Sequence, residues 1–210
     1  MGLISLLFSD PALFFILAIS LLYSVIAHEV AHGWVASLFG DDTAKINGRL
    51  TLNPISHIDP VGALMLFLVG FGWAKPVPVD FYRLKNYRVG LVAVSLAGCL
   101  ANILIATIAI FILQFPAVNT NNTLVAILSI LARVNIILGA FNLIPIPPLD
   151  GSKILMGFLP FSGQQAMARL ERYGFFIIII LLYAGILNPL IIFMQNLIYA
   201  MISLLFGLFK

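Results

Sequence analysis

Residues 28–32 read His-Glu-Val-Ala-His, so two of the chain's three histidines and one of its two glutamates fall within five positions. The pentad lies in an apolar stretch that reads as a helix, and residues four apart on a helix share a face. His28 and His32 can then reach one ion together, while Glu29, offset around the helix, stands where it can take a proton from a metal-bound water. Burying three such side chains in lipid without a purpose costs several kcal/mol, about 2.5 to 3.5 for one charged residue. A hydrolytic zinc keeps three protein ligands and leaves its fourth position to water, so a third N or O donor must come from elsewhere.

The elements that must position these residues belong to a membrane. Of 210 residues, 62% are hydrophobic and 9% charged, against about a quarter charged in an ordinary soluble domain. One crossing takes about 20 apolar residues, so the length allows about four to six transmembrane segments in a single membrane-embedded domain over residues 1–210. Residues 11–39 form a first span that starts at Pro11 and is closed by Gly40. Residues 89–115 and 123–143 form two more. The final apolar tract, 173–209, has Asn188-Pro189 near its middle and suits either one kinked helix or a two-helix hairpin. Between the first and second spans the chain is polar over 41–60, then apolar over 61–73 but too short to cross. Pro76 and Pro78 oppose helix there, while the alternation over 75–81 permits a short strand. The fold class is an all-α polytopic helix bundle with a re-entrant or strand-like loop region, 41–88. That region should pack on the bundle, because irregular backbone at membrane depth needs protein or a wet cavity around it.

Lys and Arg concentrate in 41–60, 74–88 and 152–172 and are absent from 116–122, which places the basic loops in the cytoplasm and the N-terminus outside. The end of the third span then lies on the same side as the C-terminal half of the first helix. Of the six aspartates, Asp150 is therefore the best third donor, at the end of N-L-I-P-I-P-P-L-D-G. It also precedes Gly151 and Ser152 as a helix N-cap would, and both roles can hold together. The formal charge of +3 speaks to topology, with no case for nucleic acid. Cys99, the one cysteine, excludes a disulfide framework or thiolate cluster. Residues 1–10 lack a basic n-region and an A-x-A-like site, so the first apolar segment is expected to stay in the mature protein. Arg133 falls inside the third span with no acidic residue within a turn. His57, in a loop of N-P-I-S-H-I-D-P type, reads as a hydrogen-bonding loop residue.

With both segments in view, the chain resembles the site-2 protease family of intramembrane zinc metalloproteases, of the peptidase M50 type, in a compact form without a PDZ or CBS domain. H-E-V-A-H matches that family's H-E-x-x-H. Residues 142–151 match its N-x-x-P-x-P-x-L-D-G, whose aspartate is the third ligand. Weaker matches are L-T-L-N-P-I-S-H-I-D-P-V-G at 50–62 and G-W-A-K-P-V-P-V at 72–79, and the resemblance covers roughly residues 15–160. One departure stands in A-G-C-L-A-N at 97–102, where Cys99 replaces a common proline and puts the bend of that helix in question.

The resemblance implies a zinc metalloendopeptidase that hydrolyses peptide bonds in or near transmembrane segments, as in regulated intramembrane proteolysis. One Zn2+ per chain would be held by His28, His32 and Asp150, with Glu29 catalytic and Asn102 and Asn142 positioning substrate. Loop region 41–88 would pair with unwound substrate through backbone hydrogen bonds. Implied partners are a transmembrane protein or peptide substrate, the lipid bilayer and a regulatory membrane partner. The expected location is a multi-pass place in the plasma (inner) membrane, with the active site toward the cytoplasm. The competing reading is a non-catalytic transporter or scaffold with a structural zinc site. Glu29 between the histidines favours the enzyme, because a structural site needs no general base and closes its fourth position with protein.

Overall fold

The computed structural model describes residues 3–69 and 74–207. Helix α1 (Leu3–Ser9) leads into α2 (Pro11–Leu38). Asp10 caps α2 by accepting the Leu13 amide at 3.0 Å, and Pro11 takes a first-turn position where it has no amide to lose. Past α2, Gly40 turns the chain at φ +97. There follow α3 (Thr43–Ile46), a 3-10 turn at Pro54–Ser56 and α4 (Pro60–Val69). After a second 3-10 turn, Phe81–Arg83, come α5 (Tyr87–Leu113), α6 (Pro116–Asn119) and α7 (Asn122–Asn142). The remainder is α8 (Asp150–Phe158), α9 (Phe161–Glu171), α10 (Gly174–Tyr183) and α11 (Asn188–Phe206).

Helices α2, α5, α7 and α11 are long and apolar enough to cross a membrane, with 28, 27, 21 and 19 residues. Even the shortest reaches about 28 Å at 1.5 Å per residue, close to the hydrocarbon thickness. The architecture is all-α, with a number of spans inside the expected range. The ten residues of α4 give about 15 Å, too short to cross, as read for 61–73; residues 70–73, with Gly72 and Trp73 of the weaker motif, lie outside the described residues. The final tract is two helices, separated by a turn at 184–187 where Gly185 takes φ +72, the left-handed conformation that glycine adopts without strain.

Helix α5 is the centre of the bundle and packs chiefly on α7, α2 and α8. Small buried residues allow the close approach: Ala97, Gly98, Ala106 and Ala109 on α5, and Ala132, Gly139 and Ala140 on α7. Ala106, Ile136 and Ala140 join Ile198 and Ile202 of α11 in one apolar cluster. Phe15, Ile19, Leu104, Phe193 and Leu204 point outward and are exposed, as a lipid-facing surface requires.

The strand permitted over 75–81 does not form: residues 74–80 run free of helix and sheet, and among the described residues there is no strand. Pro76 and Pro78 have no amide for a ladder. Three of the other amides are engaged elsewhere. Lys75 donates to the His57 carbonyl at 2.9 Å, Val77 to Glu29 Oε2 at 2.8 Å, and Asp80 to Asp41 Oδ2 at 2.7 Å. Arg49 donates to the Lys75 carbonyl at 2.8 Å. The segment is thus a strap pinned along its length to α2 and to the loop after it. His57 is part of that loop, with Nε2 on the Thr51 carbonyl at 2.8 Å.

Asp41 holds one end of the strap. Burial would raise its carboxyl pKa, but hydrogen bonds from Thr43 and the Asp80 amide, with Arg83 nearby, more than offset this and hold it below the ordinary value. A lowered carboxyl pKa stabilises the fold above the unfolded value of about 3.9, and that stability is lost as pH falls through the folded value. Asp41→Ala is expected to speed hydrogen exchange of the residue 80 amide about tenfold at pH 7, the equivalent of one charge-assisted hydrogen bond. The native chain should show a similar loosening of 74–80 when acidified through the lowered folded-state value of Asp41, after correction for intrinsic exchange. Unchanged exchange in the variant would mean that the strap is held without Asp41.

Candidate metal and catalytic site

Helix α2 presents His28 and His32 from successive turns, and α5 holds the far nitrogen of each ring. His32 Nδ1 lies 2.7 Å from the Val94 carbonyl, which can only accept, so this nitrogen carries the proton. His28 Nδ1 lies 2.7 Å from Asn102 Oδ1. Asn102 Nδ2 donates to Asn135 Oδ1 at 2.8 Å and to the Ser24 carbonyl at 3.2 Å, which leaves Oδ1 as the acceptor from His28. Asn135 Nδ2 in turn donates to Ser24 Oγ at 2.7 Å and the Leu131 carbonyl at 2.8 Å. The network is buried throughout.

With both Nδ1 atoms protonated, the two Nε2 atoms of the neutral rings carry lone pairs, and they face each other at 3.0 Å. Asp150 Oδ2 stands 3.0 Å from one and 3.2 Å from the other. Three acceptors that converge in this way need a positive charge among them. An ion about 2.0–2.1 Å from each donor in tetrahedral geometry would set them about 3.3 Å apart. The observed triangle is nearly that size, so these residues fit a zinc ion. Gly98 of α5 makes the room: a Cβ there would sit 2.5 Å from His32 Nε2 and 2.6 Å from His28 Cε1.

Asp150 reaches the histidines because the chain folds back sharply after α7. It is the first residue of α8, with Leu149 in the capping position, and its carboxylate turns to the imidazoles instead of capping. A Cβ on Gly151 would run into the carbonyl oxygens of Leu143 and Ile144, so glycine is what lets α8 start against the end of α7.

Glu29 shares a cavity of about 290 Å³ with His28, His32 and Asp150. Its Oε2 accepts the Val77 amide, and among the described residues its Oε1 has no hydrogen bond. Pro76, Val77 and Val79 of the strap form one wall. Asn142 also lines the cavity; its Nδ2 donates to the Leu138 carbonyl at 3.1 Å, and among the described residues its Oδ1 has no hydrogen bond. Asn102 does not line it, but stands behind His28. Cys99 packs beside Asp150, Sγ 4.0 Å from Oδ2, and α5 runs unbroken through it.

Sequence reasoning missed Asn135, Ser24 and Gly98. A signal existed for Asn135, an amide inside an apolar span, where polar side chains bond across helices. It also missed Lys153 and Ser95, which line the cavity; Ser95 Oγ is buried and has no hydrogen-bond partner among the described residues.

The family model of peptidase family M50 matches residues 114–185, which include Asp150. YwhC of Bacillus subtilis, a zinc metalloprotease by its given name, is 42% identical over 172 residues, covering 79% of this chain and 78% of the relative. The chain belongs to peptidase family M50. Rip2 of Mycolicibacterium smegmatis is 32% identical over 178 residues, 80% of this chain and 66% of the relative. MJ0392 of Methanocaldococcus jannaschii is 27% identical over 191 residues, 90% of this chain and 46% of the relative. Both are also named as zinc metalloproteases. No solved structure matches the chain. With its four apolar helices, this M50 peptidase is an integral membrane zinc metalloendopeptidase, and Zn2+ is its cofactor.

Residues that orient a ligating histidine typically contribute 10- to 100-fold to metal affinity. Asn102→Ala is expected to weaken zinc binding by about that factor in competition with a graded chelator. Gly98→Ala should weaken it at least as much, and Asn142→Ala should leave it unchanged. If Asn102→Ala binds zinc like the native chain, Asn102 does not set the His28 ring.

Proposed function

We propose that residues 1–210 form one metalloprotease domain that hydrolyses peptide bonds in or beside transmembrane segments of membrane proteins, as in regulated intramembrane proteolysis. His28, His32 and Asp150 hold the zinc, and Glu29 is the general base. The observation that carries this reading is the convergence of three lone pairs beside a free carboxylate oxygen, in a cavity walled by apolar helices.

A zinc ion held by these three residues would supply Lewis-acid activation of the scissile carbonyl and of a water, lowering the water's pKa toward about 7. Glu29 Oε1 takes the proton and delivers it to the leaving nitrogen. The Val77 amide fixes the carboxylate through Oε2, so the free oxygen faces the cavity. Asn102, backed by Asn135, keeps His28 in the tautomer that offers Nε2. It therefore acts on substrate through the histidine, whereas the free Oδ1 of Asn142 can accept a substrate amide directly.

The strap is the natural edge for an unwound substrate. Pro76 and Pro78 offer no amide and Val77 has spent its own on Glu29. The Val79 amide and the carbonyls of residues 76–79 make no hydrogen bond among the described residues. A substrate segment would pair mostly by donating its own amides to that edge. The basic loops at 41–60, 74–88 and 152–172 favour a site on the cytoplasmic side of a plasma (inner) membrane. Access would fall to a regulatory membrane partner.

Purified chain in detergent, offered tagged single-span substrates, should cut them. Glu29→Gln at matched zinc content should be slower by at least ~100-fold, the usual contribution of a general base. Equal cleavage by both would remove Glu29 from the mechanism. Zinc retained by both with no cleavage across a broad substrate panel would favour a structural zinc site.

A further inference from the structure

Arg133 is the twelfth of the 21 residues of α7. Its Cα therefore lies about 17 Å from one end of that span and about 14 Å from the other. The side chain is exposed, and among the described residues it makes no hydrogen bond or ion pair. Asn135, two positions on, is buried and bonds toward Ser24 and Asn102. Residues two apart on a helix point in nearly opposite directions, so Arg133 points out of the bundle and away from the catalytic cavity. Its stem is shorter than the distance to either end, so snorkelling alone leaves the charge below the interface.

The other faces of α7 are covered by α5, α2 and α11. The uncovered face carries Ala126 and Ser129, seven and four residues before Arg133, both exposed. Small residues at these spacings let a second helix approach closely. We propose that this face docks a membrane-spanning helix of a non-substrate partner that carries an Asp or Glu at mid-depth.

Charge complementarity selects the occupant. A guanidinium pairs with a carboxylate through two parallel hydrogen bonds, and the attraction is strong where water is excluded. A second copy of this chain cannot supply the acid. Glu29 and Asp150 belong to the metal site, and Asp10, Asp41, Asp42, Asp59, Asp80 and Glu171 lie outside the four spans. A substrate waiting for cleavage is also a poor fit, because the only α7 residue in the catalytic cavity is Asn142.

The test uses the zinc-loaded full chain in phosphatidylcholine vesicles, with labelled polyleucine single-span peptides that carry Glu, Gln or Leu at their centre. Energy transfer should show the Glu peptide associating at least tenfold more tightly than the Leu peptide, with the Gln peptide in between. Arg133→Leu should abolish the preference at unchanged zinc content, Arg133→Lys should keep part of it, and bound Glu peptide should stay intact. Equal association of the Glu and Leu peptides would overturn the proposal, as would a preference that survives Arg133→Leu. Preferential cleavage of the Glu peptide would replace it with a substrate contact. Association between native chains that is lost in Arg133→Leu would replace it with a self-contact. Loss of zinc in Arg133→Leu would show that the residue serves the fold.

Discussion

Two lone-pair nitrogens and a carboxylate oxygen stand within 3.2 Å of one another inside an apolar bundle. Left alone they repel, and each is largely withdrawn from the surface. Much of the buried polar chemistry in the chain answers that problem. The Val94 carbonyl and Asn102 fix the rings from behind, Asn135 and Ser24 fix Asn102, and a metal at the centre would supply the missing charge. A buried network of this kind stabilises only when every member is satisfied. Here each hydrogen-bonding group facing away from the metal has a partner, so the open valences all face one point.

The same economy governs Glu29. Its carboxylate is tied at one oxygen by the Val77 amide. That amide belongs to a strap anchored at one end by Asp41 and at the other by the His57 carbonyl. The prolines at 76 and 78 keep the intervening backbone from pairing in a sheet. The position of the Glu29 carboxylate is therefore set by a loop outside the bundle as well as by the helix that carries it.

What could be read in the residues was the part governed by local spacing. His28, Glu29 and His32 announce themselves because a helix repeats every 3.6 residues, and the long apolar runs announce three spans and a further apolar tract. The placement of Asp150 needed only a topology, which the Lys and Arg of the loops supplied. The turn at 184–187 was left open because one proline suits a kinked helix and a helix start equally well. The strand permitted over 75–81 does not form, because alternation is blind to where each amide bonds. Asn102 was legible as a polar residue on a span, but its contact with His28 depends on how α5 rotates against α2, which sequence spacing does not encode.

Gly98 shows what that rotation costs in evolutionary freedom. It stands four residues before Asn102, on the same face of α5, so the helix offers the histidine pair first a vacancy and then a hydrogen bond. Any side chain at 98 would occupy the volume of the imidazoles themselves, and the neighbours that would have to yield are the ligands. Substitution at 98 thus has no conservative option. Descendants that keep both histidines are therefore held to glycine at this position, and a lineage that loses the glycine is free to lose the histidines as well.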